Sequence, residues 1–237
     1  MKQITYKRIL LKLSGEALMG DNKFGIDGKT LSQFADEIAA IHKLNIEIGI
    51  VVGGGNIFRG IQAGDKGIDK ISGDKMGMLA TTINAIALRD ALEKKDIETH
   101  IQTATPMPQI AEHFSVDRAR KLLDNKKIVI FAGGTGNPLF TTDSAAALRA
   151  IEINADILIK ATNVDGIYDS DPKKNPNAVL YKKLSFNDVL DKKLRVMDLT
   201  SIILCQENNK KVAVLNLHQK GNLTSFIKGD EIGSIVE

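Results

Sequence analysis

The apolar and polar positions of this chain alternate between two periods from end to end. Short β-branched runs predict buried strands, and apolar residues that recur every three or four positions predict helices. Strands are predicted at 8–13, 46–52, 97–103, 128–131, 156–161, 211–216 and, as a final edge strand, 233–236. Helices are predicted at 30–44, 73–94, 117–124, 143–154, 185–192, 198–207 and 222–228. This alternation favours one α/β domain over 1–237, a three-layer α/β/α sandwich around a mostly parallel central sheet.

The stretch 128–149, IVIFAGGTGNPLFTTDSAAALR, combines a strand, a glycine loop and the start of a helix. Glycines such as Gly133 and Gly134 let bare N–H groups approach an anion, and the helix start adds a partial positive charge. One such turn is more often an ordinary strand-to-helix connection. The chain builds the turn three times, however, with SGE after the first strand and GGGN at 53–56 after the second. We therefore expect a site for phosphate groups.

Basic side chains stand beside these turns. Lys12 and Lys160 each lie near the carboxyl end of a predicted strand, where ligands of open α/β sheets collect. A single lysine there is as often a side chain that snorkels to solvent, but two in one sheet could converge on the same phosphates. Arg59 follows the second turn and offers a bidentate fork for phosphate oxygens. Backbone donors and three cations suit phosphoryl transfer, which needs positioning and charge neutralisation more than covalent chemistry.

Several polar residues have a structural interpretation as well as a functional one. Thr141, Thr142 and Asp143 stand where helix N-caps belong, so capping and ligand contact are both open. Asp74 is most simply the N-cap of the helix that begins at 73–74, and 61–72 is predicted to be a mobile loop. The segment 162–172, TNVDGIYDSDP, is either a solvated β-hairpin or an excursion long enough to cover a base and ribose.

Composition and motifs exclude several function classes. The chain of 237 residues has 32 Lys plus Arg against 29 Asp plus Glu, a net charge of +3, and no basic block that would favour nucleic acid. The GxxxxGK[ST] motif, the HRD and DFG motifs of protein kinases and a good GxGxxG fingerprint are absent. Cys205 is predicted to be a buried reduced thiol, and the four histidines lack metal-ligand spacing, so no protein metal site is expected. Without a signal peptide or a membrane-length apolar run, we expect a cytoplasmic protein that does not bind membranes.

Taken together, six segments resemble the bacterial UMP kinases of the amino acid kinase superfamily, in order and in spacing. These segments are KRILLKLSGEAL, VVGGGNIFRG, GDKMGMLAT, GTGNPLFTTDSAA, LIKATNVDGIYDSDP and RVMDLT. The resemblance covers essentially the whole chain. It implies the amino acid kinase fold and transfer of the ATP γ-phosphate to UMP with Mg²⁺, in pyrimidine nucleotide synthesis. It also implies a homohexamer.

The resemblance assigns roles by motif position. The catalytic set is Lys12, Lys160 and Arg59, with Asp143 and Asp198 as candidates for orienting the lysines. ATP is assigned to Lys12, Leu13, Ser14, Gly15, Gly55, Arg59, Thr162, Asn163, Tyr168 and Asp171. UMP is assigned to Gly54, Asp74, Thr135, Gly136, Asn137, Pro138, Leu139, Phe140, Thr141 and Thr142. A stretch similar to one linked to allosteric control comprises Gly20, Asp21, Asn22, Lys23, Phe24 and Gly25.

One position departs from the family pattern, and two alternatives stay open. The chain has GIDK where the family tends to have GMDR, so any role of that basic position rests on Lys70. Effector response differs within the family, so GTP as activator and UTP as inhibitor are expectations from the resemblance. The alternatives are a kinase of small carboxylates or carbamates, such as acetylglutamate or glutamate, and a nucleotide-binding protein without turnover.

Overall fold

The computed structural model of the protein describes residues 4–58, 67–194 and 196–237. The helices are α1 (Gly28–His42), α2 (Lys70–Glu93), α3 (Val116–Asp124), α4 (Thr142–Glu152), α5 (Phe186–Asp191), α6 (Leu199–Glu207) and α7 (Asn222–Ile227). The strands are β1 (Arg8–Leu13), β2 (Glu47–Val52), β3 (Thr99–Thr103), β4 (Glu112–His113), β5 (Ile128–Ala132), β6 (Ile157–Thr162), β7 (Ile167–Tyr168), β8 (Leu180–Tyr181), β9 (Lys183–Leu184), β10 (Lys211–Asn216) and β11 (Ser234–Val236). A 3-10 turn occupies Gly15–Met19.

The described residues form a nine-stranded sheet in the order β4-β3-β5-β2-β1-β6-β10-β11-β9. Its pairs are parallel except β10 with β11, which are antiparallel. β1 and β2 are almost wholly buried, as expected for central strands covered on both faces. The predicted mostly parallel sheet is confirmed.

Two apolar clusters cover the two faces of the sheet. One contains Ile9 and Leu11 of β1 with Phe34 of α1 and Leu88 of α2. The other begins with Leu10, whose side chain points the opposite way, and includes core residues of α3, α4, α5 and α6. Alternate residues of one strand therefore serve different cores, which gives the predicted three-layer α/β/α sandwich.

The predicted start of the long second helix is wrong. Helix α2 begins at Lys70 rather than at 73–74, and its N-cap is Asp69, whose carboxylate accepts from Ser72 N at 3.0 Å. Asp74 is thus not a cap but a residue of the second helical turn. Of the loop predicted at 61–72, residues 61–66 lie outside the described residues, and 70–72 are helical.

The last strand is the other correction. β11 was expected at the edge of the sheet, but it lies between β10 and β9, and β9 forms that edge. β4, β7, β8 and β9 have two residues each, too few to show a period of two. β7, within 162–172, pairs antiparallel with β8 at 180–181, so the segment supplies one strand of a hairpin whose second strand lies beyond it. Among the described helices none is long and apolar enough to span a bilayer.

Candidate functional site

Two lysines from neighbouring strands meet on one carboxylate at the carboxyl edge of the sheet. Lys12 of β1 and Lys160 of β6 are paired in register, so their side chains leave the sheet on the same face. Lys12 Nζ lies 3.0 Å from Asp143 Oδ1, and Lys160 Nζ lies 2.9 Å from Asp143 Oδ2. Lys160 also donates to the Val196 carbonyl at 2.6 Å. Lys12 is 8% exposed, so it is a buried, paired lysine and not a snorkelling one.

Asp143 reaches this position because it lies in the first turn of α4. Thr141 is the N-cap of α4, and its hydroxyl accepts from the Asp143 and Ser144 amides. The Asp198 carboxylate, which itself caps α6, accepts from the hydroxyls of Thr141, Ser144 and Ser201. It also accepts from the Ser201 amide, and none of the hydrogen bonds to this carboxylate in the described part of the chain comes from a lysine. Asp198 therefore acts on the lysines through the start of α4 and through its charge, which favours a higher pKa of Lys160, whereas Asp143 contacts both lysines directly.

The glycine turns meet at the same edge, but three of their glycines leave room for protein atoms. A Cβ on Gly15 would lie 2.7 Å from Gly55 N, and one on Gly53 would lie 2.9 Å from Gly15 N. A Cβ on Gly54 would lie 2.8 Å from both Ala80 Cβ and Gly77 O of α2. The lack of a Cβ at these glycines therefore lets the turns after β1 and β2 and helix α2 pack on one another. That their main chain faces a ligand stays a prediction.

Substitution of two adjacent glycines tests this packing. Gly54→Ala is expected to lower the free energy of unfolding by about 1–3 kcal/mol, because the new methyl group meets the backbone of a buried helix. Gly55→Ala is the matched control, since its Cβ would come no closer than 3.5 Å to Glu16 Cγ, an ordinary contact, and a change within about 0.5 kcal/mol is expected. Urea denaturation measures both. Equal stabilities would show that α2 does not restrict the turn.

A cavity of about 660 Å³ opens on one side of the Lys12–Asp143–Lys160 cluster. It lies between α2, the turn after β2 and the loop before α4. It is lined by Glu16, Gly54, Gly55, Phe58, Gly73, Asp74, Gly77, Met78, Thr81, Gly134, Thr135, Phe140, Thr141, Thr142 and Asp143. The Asp74 carboxylate accepts from Leu139 N at 2.8 Å, which ties α2 to the loop before α4.

Not every residue assigned to UMP lines this cavity. Gly54, Asp74, Thr135, Phe140, Thr141 and Thr142 do. Gly136, Asn137, Pro138 and Leu139 do not line it, because this part of the loop turns outward through left-handed conformations at Gly136 and Leu139. Leu139 nevertheless contacts Asp74 through its amide.

Two further cavities, of about 580 and 630 Å³, lie on the other side of the cluster and share Lys160, Thr162 and Asn163. The first is also lined by Lys12, Ser14, Glu16, Ala17, Met19, Gly20, Ala161, Asn216 and His218. The second extends under the hairpin and is lined by Tyr168, Asp171, Lys174, Lys192 and Lys193, among others. Of the residues assigned to ATP, Leu13 is fully buried in the core, so it presents main chain at most, and Arg59 lies outside the described residues.

Residues 7–216 match the model of the amino acid kinase family. This chain belongs to the amino acid kinase family. A uridylate kinase of Saccharophagus degradans is 50% identical to it over 98% of this chain and 94% of the relative. A uridylate kinase of Alcanivorax borkumensis is 51% identical over 98% of this chain and 92% of the relative.

Solved structures of two UMP kinases are similar to this chain over nearly its full length. The UMP kinase of Bacillus anthracis superposes with a TM-score of 0.96 at 41% identity, covering 98% of this chain and 96% of that one. The UMP kinase of Ureaplasma parvum gives 0.92 at 39% identity, covering 98% of each chain. The amino acid kinase fold and the resemblance to bacterial UMP kinases, both inferred from the sequence, are confirmed.

The charged groups of the Lys12–Asp143–Lys160 cluster shift one another's pKa values. Burial by itself would raise the pKa of the Asp143 carboxyl, but the ammonium groups of Lys12 and Lys160 outweigh burial and hold that pKa below its usual value. Burial lowers the pKa of Lys160; Asp143 opposes this shift and Lys12 adds to it. The site thus concentrates two positive charges around one negative charge in a water-poor position.

Because the pKa of Lys160 is lowered, the activity of this kinase should begin to fall at a lower alkaline pH than an ordinary lysine would give. The ammonium form is present below that pKa, so raising the pH through it removes a charge that would face the phosphates. We expect kcat/KM, which reports the ionisation of the free enzyme, to fall at a pH below the value of about 10.4 at which an ordinary lysine loses its proton. Lys160→Arg, whose guanidinium stays charged, should lack this fall even at a lower rate. Profiles of kcat/KM from about pH 7 to about pH 10 decide, and an unchanged fall in Lys160→Arg would assign it to another group.

Sequence analysis missed part of the lining. Gly77, Met78 and Thr81 line the 660 Å³ cavity with Asp74, and all four recur at helical spacing on one face of α2. Thr81 Oγ1 accepts from Gly133 N at 2.8 Å and so holds the turn after β5. The predicted helix 73–94 already contains these four positions, so their shared face with Asp74 was the signal that could have found them. Asn216, the last residue of β10, and His218, which follows the strand, carry no such signal.

Proposed function

We propose that this chain is a UMP kinase, which transfers the γ-phosphate of ATP to UMP and releases UDP and ADP. The observation that carries the proposal is the pair of ammonium groups on Asp143, between the 660 Å³ cavity and the two cavities beyond Lys160. Relatives that match nearly the full chain are uridylate kinases. We assign UMP to the 660 Å³ cavity and ATP to the other two, with Tyr168 and Asp171 on the nucleoside side.

The chemistry follows from the charges. A phosphate oxygen of UMP bonds to the γ-phosphorus of ATP while the bond from that phosphorus to the β-phosphate oxygen breaks. The attacking oxygen is already ionised, so no general base is needed. Lys12 and Lys160 neutralise negative charge on the transferred group, and backbone amides of the glycine turns position it. Asp143 holds both ammonium groups in place, and Asp198 holds the start of α4 that presents Asp143.

Mg²⁺ belongs to this proposal as a partner of ATP. Within the described residues no group of three or more His, Cys, Asp and Glu side chains is arranged to hold a metal. Mg²⁺ commonly binds through substrate phosphates, water and one or two carboxylates. Glu16 and Asp143 are carboxylates that line the 660 Å³ cavity, and they would hold it beside the phosphates. The ion would supply further charge neutralisation.

A substrate panel tests the proposal. ADP formation is measured with ATP and Mg²⁺ and each of UMP, CMP, acetylglutamate and glutamate, with and without GTP or UTP. We expect turnover with UMP far above the others. Turnover confined to an acid would favour a small-acid kinase, and nucleotide binding without ADP formation would favour a non-catalytic protein. Either result would reject the proposal.

Further properties are proposed on the same basis. We infer a single-domain, cytoplasmic enzyme of pyrimidine nucleotide synthesis, with Arg59 on the ATP phosphates and 20–25 responsive to GTP and UTP. Self-association as a homohexamer is supported by an exposed apolar stripe along α2. The stripe comprises Met76, Leu79, Ile83 and Ile86, which are spaced for one helical face.

A further inference from the structure

A buried pair of asparagine side chains joins the segments that surround the site. Asn56 follows the GGG turn after β2, and Asn84 lies in the middle of α2; they are 1% and 0% exposed. Each side-chain amide donates to the oxygen of the other, at 2.6 Å from Asn84 Nδ2 and 2.9 Å from Asn56 Nδ2. Replacement of one member by an apolar residue would leave polar atoms of the other buried and unsatisfied, which is costly.

The remaining donors of the pair reach the backbone on both sides. Asn84 Nδ2 also donates to the Gly53 carbonyl at 2.7 Å, at the start of the turn. Asn56 Nδ2 also donates to the Gly25 carbonyl at 2.9 Å, and the Gly25 amide returns a bond to the Asn56 carbonyl at 2.9 Å. All four side-chain N–H groups of the pair are therefore used, and they connect α2, the turn after β2 and the 20–25 segment.

The turn after β1, which contains Gly15, packs against the same amide pair. A Cβ on Gly15 would lie 2.6 Å from Asn56 Oδ1, so the missing side chain of Gly15 is what makes room for the pair. Gly53 N in turn donates to the Leu13 carbonyl at 2.9 Å, which fixes the end of β2 against the end of β1. The two turns on which the proposed phosphate site depends are thus packed around one amide pair.

We propose that Asn56 and Asn84 are positioning residues for phosphoryl transfer, and that they hold the turns after β1 and β2 in register with each other and with the 20–25 segment. The proposal rests on the proposed function, since it concerns the alignment of donor and acceptor phosphates. Neither side chain lines any of the three cavities of the site. They act through the backbone of the turns, where a displacement of about 1 Å can lower the rate on the order of 100-fold.

Asn84→Ala tests the proposal through two measurements. In hydrogen exchange, the Gly25, Ile57 and Phe58 amides, which bond to the Asn56 and Gly54 carbonyls, should exchange at least about tenfold faster, because the pair no longer restrains those segments. Amides of β6 should keep their protection. In kinetics, kcat for UMP should fall about 10- to 100-fold at a temperature where circular dichroism shows the variant folded, with the KM for UMP changed less than the kcat.

Matched variants separate positioning from general destabilisation. Thr82→Val replaces a buried hydroxyl on the same helix, bonded to the Met78 carbonyl at 3.4 Å, and should leave kcat and the exchange at Gly25 unchanged. If Asn84→Ala does not fold, Asn56→Ser gives the same comparison with a smaller change. Unaltered kcat and exchange in a folded variant would overturn the proposal. A wild-type protein that does not phosphorylate UMP, but whose turns loosen as expected, would instead reject the proposed function and leave the amide pair as a link between segments.

Discussion

Lys12→Ala is expected to lower kcat for UMP phosphorylation by about 10²–10³-fold, the loss typical when one preorganised donor to a developing charge is removed. Lys12 lies at the end of a central strand, buried, with its ammonium group 3.0 Å from Asp143. Lys160 cannot replace it, because it is already bonded to Asp143 and Val196. The measurement is steady-state ADP formation with saturating ATP and UMP.

Stability should respond far less than activity to this change. Without Lys12, the Asp143 carboxylate keeps its bond to Lys160, and repulsion between two neighbouring ammonium groups disappears. The pKa of Lys160 should therefore rise in Lys12→Ala, which would move the alkaline limb of its residual activity to higher pH. Lys12→Arg, which keeps the charge but not the shape, should retain more activity than the alanine variant. Near wild-type kcat in Lys12→Ala would remove this lysine from the mechanism.

Asp143→Ala is expected to have the largest effect on stability, a loss of about 3–5 kcal/mol in the free energy of unfolding. The buried ammonium group of Lys12 and the partly buried one of Lys160 would lose their shared counter-ion. Turnover should fall as well, since the lysines would repel each other away from their present positions. Urea denaturation at about pH 7 measures the first effect, and ADP formation measures the second.

An exposed ion pair provides the control. Lys94 and Asp90 lie 2.6 Å apart on the surface of α2, and Asp90→Ala should change stability by no more than about 0.5 kcal/mol, because solvent screens such pairs.

The dependence of folding stability on acidic pH gives an independent check. The pKa of Asp143 is lowered in the folded protein, so its stabilising effect is present above the ordinary value of 3.8 and is lost as the pH falls through the lowered one. Asp143→Asn should therefore unfold with a weaker pH dependence below about pH 4, and an unchanged acid limb would show that other carboxylates control it.

The apolar and polar pattern predicted the strands and helices well where an element extends over several residues. The predicted bounds of β1 and β10 agree with the structure, because each strand has a central apolar run flanked by polar residues. The start of α2 was misplaced because Gly73 was interpreted as a helix boundary, although Asp69 supplies the cap and Gly73 is buried inside the first turns. The position of β11 could not be predicted, because its neighbour β9 has two residues and pairs with it across some fifty positions of sequence.

The sequence by itself determined the alternation of strands and helices, the glycine turns, and the placement of Lys12 and Lys160 at one edge of the sheet, since each of these is written in the spacing of neighbouring residues. Tertiary structure decided that both lysines meet on Asp143, that the missing Cβ atoms of Gly15, Gly53 and Gly54 make room for protein atoms, and that Asn56 pairs with Asn84. The physical reason is that local periodicity reports whether a side chain is buried. Which distant segment buries it depends on the packing of the whole chain.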